Sequence, residues 1–275
     1  MRQKTPPSSK AHQKSSSKKL AAPSTSQTYF TIKEAIRANL IVGVLALLIF
    51  FPLSYFAQFE IMGSDYYFHA TLTFFCFTVL PVLYLVINQL VRMRKIQTFF
   101  IGTPSGLSKK NILKSLLQGL GMHAGIFYPW ITLANKNVSG VISLNFWYFH
   151  LSSPAAWFRE LLFISLNIIM FEYYSKAFVQ LQFMRAKGSL IFGKGKYCLH
   201  IGNGGAFLLQ FAVWMGGHWL EFTWLPDIIG PANAIAFITI SGLLTGVTVY
   251  DTENILGVTV GHILLNVLIM LTFTQ

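Results

Sequence analysis

Seven apolar segments run through most of the chain, and each is about as long as a membrane crossing. A helix needs about 20 mostly apolar residues to cross the hydrocarbon core of a bilayer. Only 11% of the 275 residues are charged, whereas a soluble domain carries about 25%. The sequence therefore predicts an all-α, polytopic membrane bundle with about seven transmembrane helices. The expected spans are 36–58, 68–91, 112–134, 155–183, 203–222, 229–249 and 254–274.

The basic residues predict an orientation for these spans. Eighteen of the 21 Lys and Arg residues fall in 1–37, 92–114 and 185–196. With seven spans all three stretches lie on one side, and positively charged loops stay cytoplasmic. We therefore expect a cytoplasmic N-terminus, an external C-terminus and a location in the cell inner membrane. The apolar stretch 138–151 is short, and as an eighth span it would move the last basic stretch outside, so we expect an interfacial or re-entrant piece there.

The first 28 residues differ from the rest of the chain. Residues 1–28 are rich in Ser, Lys, Pro and Gln and contain no acidic residue. This composition predicts a disordered basic cytoplasmic tail, with residues 29–275 forming one integral membrane domain. The net charge of +12 would suit nucleic acid, but the basic residues lie mainly in the tail and between apolar spans. We expect a lipid bilayer and no nucleic acid as the partner of this charge.

Polar side chains interrupt the apolar segments on three predicted helices: Glu172, His218, and the pair His262 and Asn266. An ionisable group at mid-membrane costs about 2.5–3.5 kcal/mol, so such groups usually face the protein interior and mark a functional site. Counted from the predicted cytoplasmic helix ends, these four lie at depths of about 12 to 22 Å. Similar depths on three helices favour one shared site.

The spacing of these residues adds two pairs that share a helical face. His262 and Asn266 are four residues apart, as are Glu172 and Lys176. Taken singly, each has a structural explanation: an ion pair, a packed imidazole, or an amide that bonds between helices. Only their joint occurrence favours function. The histidines without a comparably spaced polar partner are expected to be structural: His69, His123, His150 and His200.

The residue types fit peptide hydrolysis. A buried carboxylate can take a proton from water, and neutral His and Asn side chains can donate hydrogen bonds to an oxyanion. Alternatively, His218, His262 and Glu172 could ligate a divalent metal such as Zn²⁺ and leave one position for water. The sequence leaves the glutamic-type and metal-dependent mechanisms open.

The motifs between residues 155 and 270 resemble a known family. Glu172 is followed four residues later by a basic residue, Trp214 by His218, and His262 by Asn266, after a Gly-rich approach at 241–246. This order resembles the CAAX prenyl protease and bacteriocin-processing (CPBP) family of intramembrane proteases. The family commonly has two adjacent glutamates and then an arginine, whereas Phe171 stands here at the first glutamate and Lys176 at the arginine.

The resemblance implies an intramembrane endopeptidase that cleaves a membrane protein or a lipidated peptide. Glu172 would be the general base, oriented by Lys176. His218 and His262 would bind the scissile carbonyl or hold a metal, and Asn266 would stabilise the oxyanion. Because the first glutamate is missing, a catalytically inactive membrane scaffold or chaperone is the alternative. A small transporter with Glu172 and His218 as a proton relay is a third hypothesis.

Overall fold

The computed structural model describes residues 31–57, 71–92, 101–140, 154–186, 190–192, 199–201, 203–218 and 221–273. The predicted tail at 1–28 and most of the apolar stretch 138–151 lie outside these ranges. Within them the chain is mainly helical, with one antiparallel pair of short strands and a loop at 101–108.

Two helices open the described part of the chain. α1 spans Ile32–Ala57, and α2 spans Leu80–Arg92 after a π-helical turn at Phe75–Val79. Along α1 a buried face of small side chains opposes a face of exposed large apolar ones, as expected of a helix that packs on one side and meets lipid on the other. The buried residues are Ala35, Ala38, Val42 and Ala46, and the exposed ones include Leu40, Val44, Leu47 and Leu48.

The third predicted span forms one continuous helical rod, in which a π-helical turn joins two α-helices. α3 spans Lys109–Met122, a π-helical turn follows at His123–Phe127, and α4 spans Tyr128–Ser139. The Ser108 hydroxyl caps α3 by accepting a backbone hydrogen bond from its first turn. Gly140 ends α4 with a φ of 75°, the left-handed conformation that suits glycine.

A second rod forms the centre of the bundle. α5 spans Pro154–Glu172, a long π-helical segment follows at Tyr173–Leu181, and α6 spans Gln182–Arg185. Every residue of the π-helical segment is buried, and a helix covered on all sides lies inside a bundle. Widened π-helical turns are frequent at functional sites.

A small hairpin and four helices complete the chain. β1 (Leu190–Phe192) pairs antiparallel with β2 (Leu199–Ile201). Three residues per strand are too few for an alternating pattern to be recognised in the sequence. The helices that follow are α7 (Asn203–Gly217), α8 (Glu221–Ile229), α9 (Pro231–Thr252) and α10 (Leu256–Phe273).

α3 and α10 pack backbone against backbone. A Cβ added to Gly119 would overlap the backbone of Gly257, and one added to Gly257 would overlap the backbone of Ser115. The Gly257 N–H also donates to Ser115 Oγ at 3.0 Å. Small residues allow such close approach between membrane helices, and the contact fixes the position of α10 and of the His262 it carries.

Polar contacts tie several helix ends together at one end of the bundle, which we call the Glu253 end. Glu253 pairs with Arg185 and accepts a hydrogen bond from the Thr103 hydroxyl at 2.5 Å. The Asn254 side chain donates to the Gly106 carbonyl at 2.9 Å. The end of α6, the turn between α9 and α10, and the loop before α3 therefore meet here.

The opposite end holds the end of α4. The Asn135 side chain donates to the Ile228 carbonyl at 3.0 Å, which joins α4 to α8. The rod of α5 and α6 is about 48 Å long at 1.5 Å per residue, so with Arg185 at the Glu253 end, Pro154 lies at the opposite end, as Ser139 does. The described residues Ser139 and Pro154 therefore lie at the same end of the bundle.

Several helices in the described part of the chain are long and apolar enough to cross a membrane. Four meet both criteria, and two further apolar helices are shorter. This confirms the prediction of a helical protein with several helices of membrane-spanning length and hydropathy, while the count of seven spans stays a prediction. The four are Ile32–Leu53, Thr71–Asn88, Phe158–Arg185 and Pro231–Thr252, and the two shorter ones are Gly204–Gly217 and Leu256–Ile269.

Candidate active site

A buried carboxylate lies at the centre of the candidate site. Glu172 ends α5, and its side chain is completely buried. Its Oε1 accepts a hydrogen bond from Nδ1 of His262 on α10 at 3.0 Å. Its Oε2 lies 2.5 Å from the Nζ of Lys176, which is also completely buried. The structure therefore brings three of the predicted residues into direct contact and engages both oxygens of the carboxylate.

The Lys176 ammonium has a second partner in Trp214 of α7. Its Nζ lies 4.0 Å from the indole ring centroid, and a desolvated cation over a Trp face gains about 2 kcal/mol. The indole N–H donates to the Ile238 carbonyl at 3.0 Å. Gly242 makes room for this ring, because a Cβ there would overlap the indole. The Gly-rich approach therefore seats Trp214 beside Lys176.

His218 lies just after the end of α7, next to this tryptophan. Its Nδ1 donates to the Trp214 carbonyl at 2.9 Å, and the two ring centroids are 4.0 Å apart. Phe171 covers it edge to face, at 4.7 Å between centroids. Among the residues that the structure describes, His218 contacts Trp214 and Phe171, so it joins the site through Trp214 rather than by a hydrogen bond to Glu172.

Asn266 lies one turn beyond His262 on α10. Its Nδ2 donates to the backbone carbonyl of His262 at 3.0 Å. This bond uses one of the two amide hydrogens and leaves the other able to donate. Asn266 therefore shares the helical face of His262, as its spacing predicts, without a described contact to Glu172.

The hydrogen bonds assign the ring nitrogens of both site histidines. A carbonyl or an ionised carboxylate only accepts, so Nδ1 carries the hydrogen in His218 and in His262. Each neutral ring then presents a bare Nε2, which can accept a proton but cannot donate a hydrogen bond. The expectation that neutral His218 and His262 donate to an oxyanion does not fit this arrangement, and Asn266 is the better donor.

A metal fits this arrangement poorly. The predicted ligands were His218, His262 and Glu172, but Lys176 and His262 hold both oxygens of Glu172. In the ranges that the structure describes, no three His, Cys, Asp or Glu side chains are grouped to hold a metal ion. The metal-dependent mechanism stays a prediction.

The structure adds a histidine that the sequence argument set aside. His123, which begins the π-helical turn after α3, is 2% exposed, and its ring stacks on that of His262 at 5.7 Å between centroids. Its sequence spacing gave no partner because the partner is on another helix. A comparison of depths would have included His123 in the site. It lies 14 residues beyond Lys109, the start of α3, or about 21 Å, which is close to the depths of the other site residues.

Comparisons with known proteins add nothing to this geometry: no family model, no curated protein and no solved structure matches the chain.

Proposed function

We propose that the chain is an intramembrane endopeptidase of the CPBP type, which hydrolyses a peptide bond of a membrane protein or lipidated peptide. One observation carries the proposal: a completely buried Glu172 holds His262 from another helix and Lys176 from its own. A charged network at membrane depth is costly and is typically kept for function. The motifs around Glu172, His218 and His262 that resemble the family support the same reaction.

The contacts favour His262 as the group that takes the proton. Both oxygens of Glu172 are engaged, whereas Nε2 of His262 is bare. Water loses a proton to Nε2 as its oxygen attacks the scissile carbonyl carbon, and Glu172 stabilises the imidazolium that forms. When the C–N bond breaks, the proton passes to the leaving amine. Glu172 then acts as a base through His262, and not by direct contact with water.

The remaining residues balance charge and bind the oxyanion. Lys176 offsets the charge of Glu172 while His262 is neutral. The free amide hydrogen of Asn266 donates to the oxyanion of the tetrahedral intermediate. His218, seated on Trp214 and covered by Phe171, accepts a backbone N–H of the substrate through its bare Nε2 and so helps to align the scissile bond.

We place the Glu253 end of the bundle on the cytoplasmic side of the cell inner membrane, with the N-terminus also cytoplasmic. Arg185 and the residues before α3 belong to two of the three basic stretches, and they lie together at this end. Positive charge is retained in the cytoplasm. Two stretches from distant parts of the sequence thus support one orientation.

Cleavage of a membrane-anchored peptide by the purified full chain in vesicles tests this function. Glu172→Gln, His218→Ala and His262→Ala should each lose most of the wild-type turnover. Glu160→Gln is the matched control, because Glu160 is a second buried glutamate on α5 outside the site. Turnover that persists unchanged in the three site variants, or its absence from the wild type, would end the protease proposal.

A catalytically inactive scaffold or chaperone is the second candidate, and one observation favours it. Phe171 replaces the acidic residue of the family motif and packs its ring on His218 and against Gly217. An apolar ring there keeps water from that side of the imidazole. A scaffold would bind a membrane peptide with equal affinity in the wild type and Glu172→Gln and cleave it in neither, which separates the two candidates.

A further inference from the structure

His123 is held more firmly than a histidine that merely fills space. Its Nδ1 donates to the Gly119 carbonyl at 2.8 Å, one turn back on its own rod. Phe127 packs edge to face on its ring at 5.2 Å between centroids. Because a carbonyl only accepts, the hydrogen of a neutral His123 ring is on Nδ1. Position and orientation of this ring are therefore both fixed from within its own rod.

The close backbone contact between α3 and α10, which we call the seam, places the His123 ring against His262. Gly261 lies next to His262 in the sequence, and a Cβ there would meet His123 Nδ1 at 2.5 Å and overlap the Gly119 carbonyl. The two backbones thus approach as closely as glycine permits. The result is that the His123 and His262 rings stack nearly parallel, with 17° between their planes.

We propose that His123 is a positioning residue for His262. The flat face of the stacked His123 ring blocks rotation of the His262 imidazole about its χ2 angle. Nδ1 then stays on Glu172 and Nε2 stays bare. The inference rests on the proposed function, since a bare Nε2 matters only if His262 takes a proton from water.

The shape of His123 and not its titration performs this role. A planar side chain of similar size holds the stack, whereas a branched aliphatic side chain fills the volume without a flat face. His123→Phe therefore preserves the orientation of His262, and His123→Leu releases it. Both substitutions remove the hydrogen bond to the Gly119 carbonyl, so the two variants differ in the flat face and not in the loss of that bond.

Nitrogen-15 NMR of histidine-labelled full chain in lipid nanodiscs tests this directly, with His262 assigned by its loss in His262→Asn. The wild type and His123→Phe should show one His262 tautomer, with the hydrogen on Nδ1. His123→Leu should show two tautomers. A mixture in the wild type, or a single unchanged tautomer in His123→Leu, would overturn the proposal, and neither result depends on any cleavage.

Kinetics then separate positioning from simple structural support. His123→Leu should lower kcat by about tenfold or more with little change in KM, because the substrate still binds but the base is misaligned. His123→Phe should restore kcat. Equal kcat in the wild type and His123→Leu would contradict positioning. Absence of cleavage by the wild type would instead count against the protease proposal, and the NMR result would stand apart from it.

Discussion

The ammonium of Lys176 lies 2.5 Å from Oε2 of Glu172, and no part of either side chain is exposed. Neither charge reaches the solvent at the protein surface, so each depends on its partners within the site. Removing one member of a buried pair typically costs about 3–5 kcal/mol, whereas removing both can be nearly neutral. We expect Lys176→Met to lower the free energy of unfolding by about this amount and the double variant with Glu172→Gln to recover most of it.

Equilibrium unfolding in detergent micelles measures these differences. Lys114→Met is the matched control, since Lys114 pairs with Asp251 while 43% exposed, and such surface pairs contribute about 0–1 kcal/mol. Equal stability of Lys176→Met and Lys114→Met would show that the buried pair is not formed.

A second prediction concerns the glycine under Phe171. Gly217→Ala would place a Cβ on the Phe171 ring, while Gly216→Ala meets no atom within 4 Å. Overpacking of this kind costs about 1–3 kcal/mol, and here it would also displace the His218 ring that Phe171 covers. We expect Gly217→Ala to lose stability and turnover and Gly216→Ala to keep both. Thermal unfolding and cleavage measured on both variants check this, and matching behaviour would refute the packing described for His218.

The seam between α3 and α10 gives a third prediction. Gly257→Ala would push a Cβ into the Ser115 carbonyl, a backbone atom that cannot rotate away. The helices must separate, so we expect a loss of at least about 1–3 kcal/mol and a weaker contact between Glu172 and His262. Gly121→Ala, on the open face of α3, is the control. Unfolding free energies that do not differ between the two variants would argue against this close approach.

A fourth prediction uses the Glu253 end, outside the spans. Burial disfavours the charged form of Glu253, but hydrogen bonds from Arg185, Ser105 and Thr103 outweigh it and hold the pKa of Glu253 below its ordinary value. A carboxyl whose folded pKa is lower than its unfolded pKa stabilises the fold above the unfolded pKa. That contribution is lost as the pH falls through the folded pKa.

The free energy of unfolding of the wild type should therefore fall as the pH drops below about 4.5, the ordinary range for glutamate. Glu253→Gln removes the titrating group and should flatten this part of the curve. Asp227→Asn removes an exposed carboxyl and serves as the control. A wild-type slope in Glu253→Gln would show that this cluster does not couple to folding.

Much of the architecture could be read from hydropathy and charge. Each predicted span overlaps a helix in the described part of the chain. The pairing of β1 with β2 could not be predicted, because the two strands are too short to show a period. The long π-helical segment was equally hidden, since a widened turn leaves no distinct hydropathy pattern.

Sequence spacing could place residues on a shared helical face but could not choose partners across helices. It paired Glu172 with Lys176 and His262 with Asn266, and each pair does share a face. It could not foresee that His262 would also meet His123, because that contact depends on the close approach of two backbones. It also could not foresee that the Trp214 indole would lie against the Lys176 ammonium.

The central claim is that Glu172 and His262 act as one hydrolytic unit, and a double-mutant cycle on turnover tests it most directly. Cleavage of a membrane-anchored peptide in vesicles is measured for the wild type, Glu172→Gln, His262→Ala and the double variant, with Glu160→Gln as control. Groups that act as a unit are not additive, so each single variant should lose about a thousandfold and the double variant little more. Losses that multiply in the double variant, or wild-type turnover in either single variant, would contradict the account.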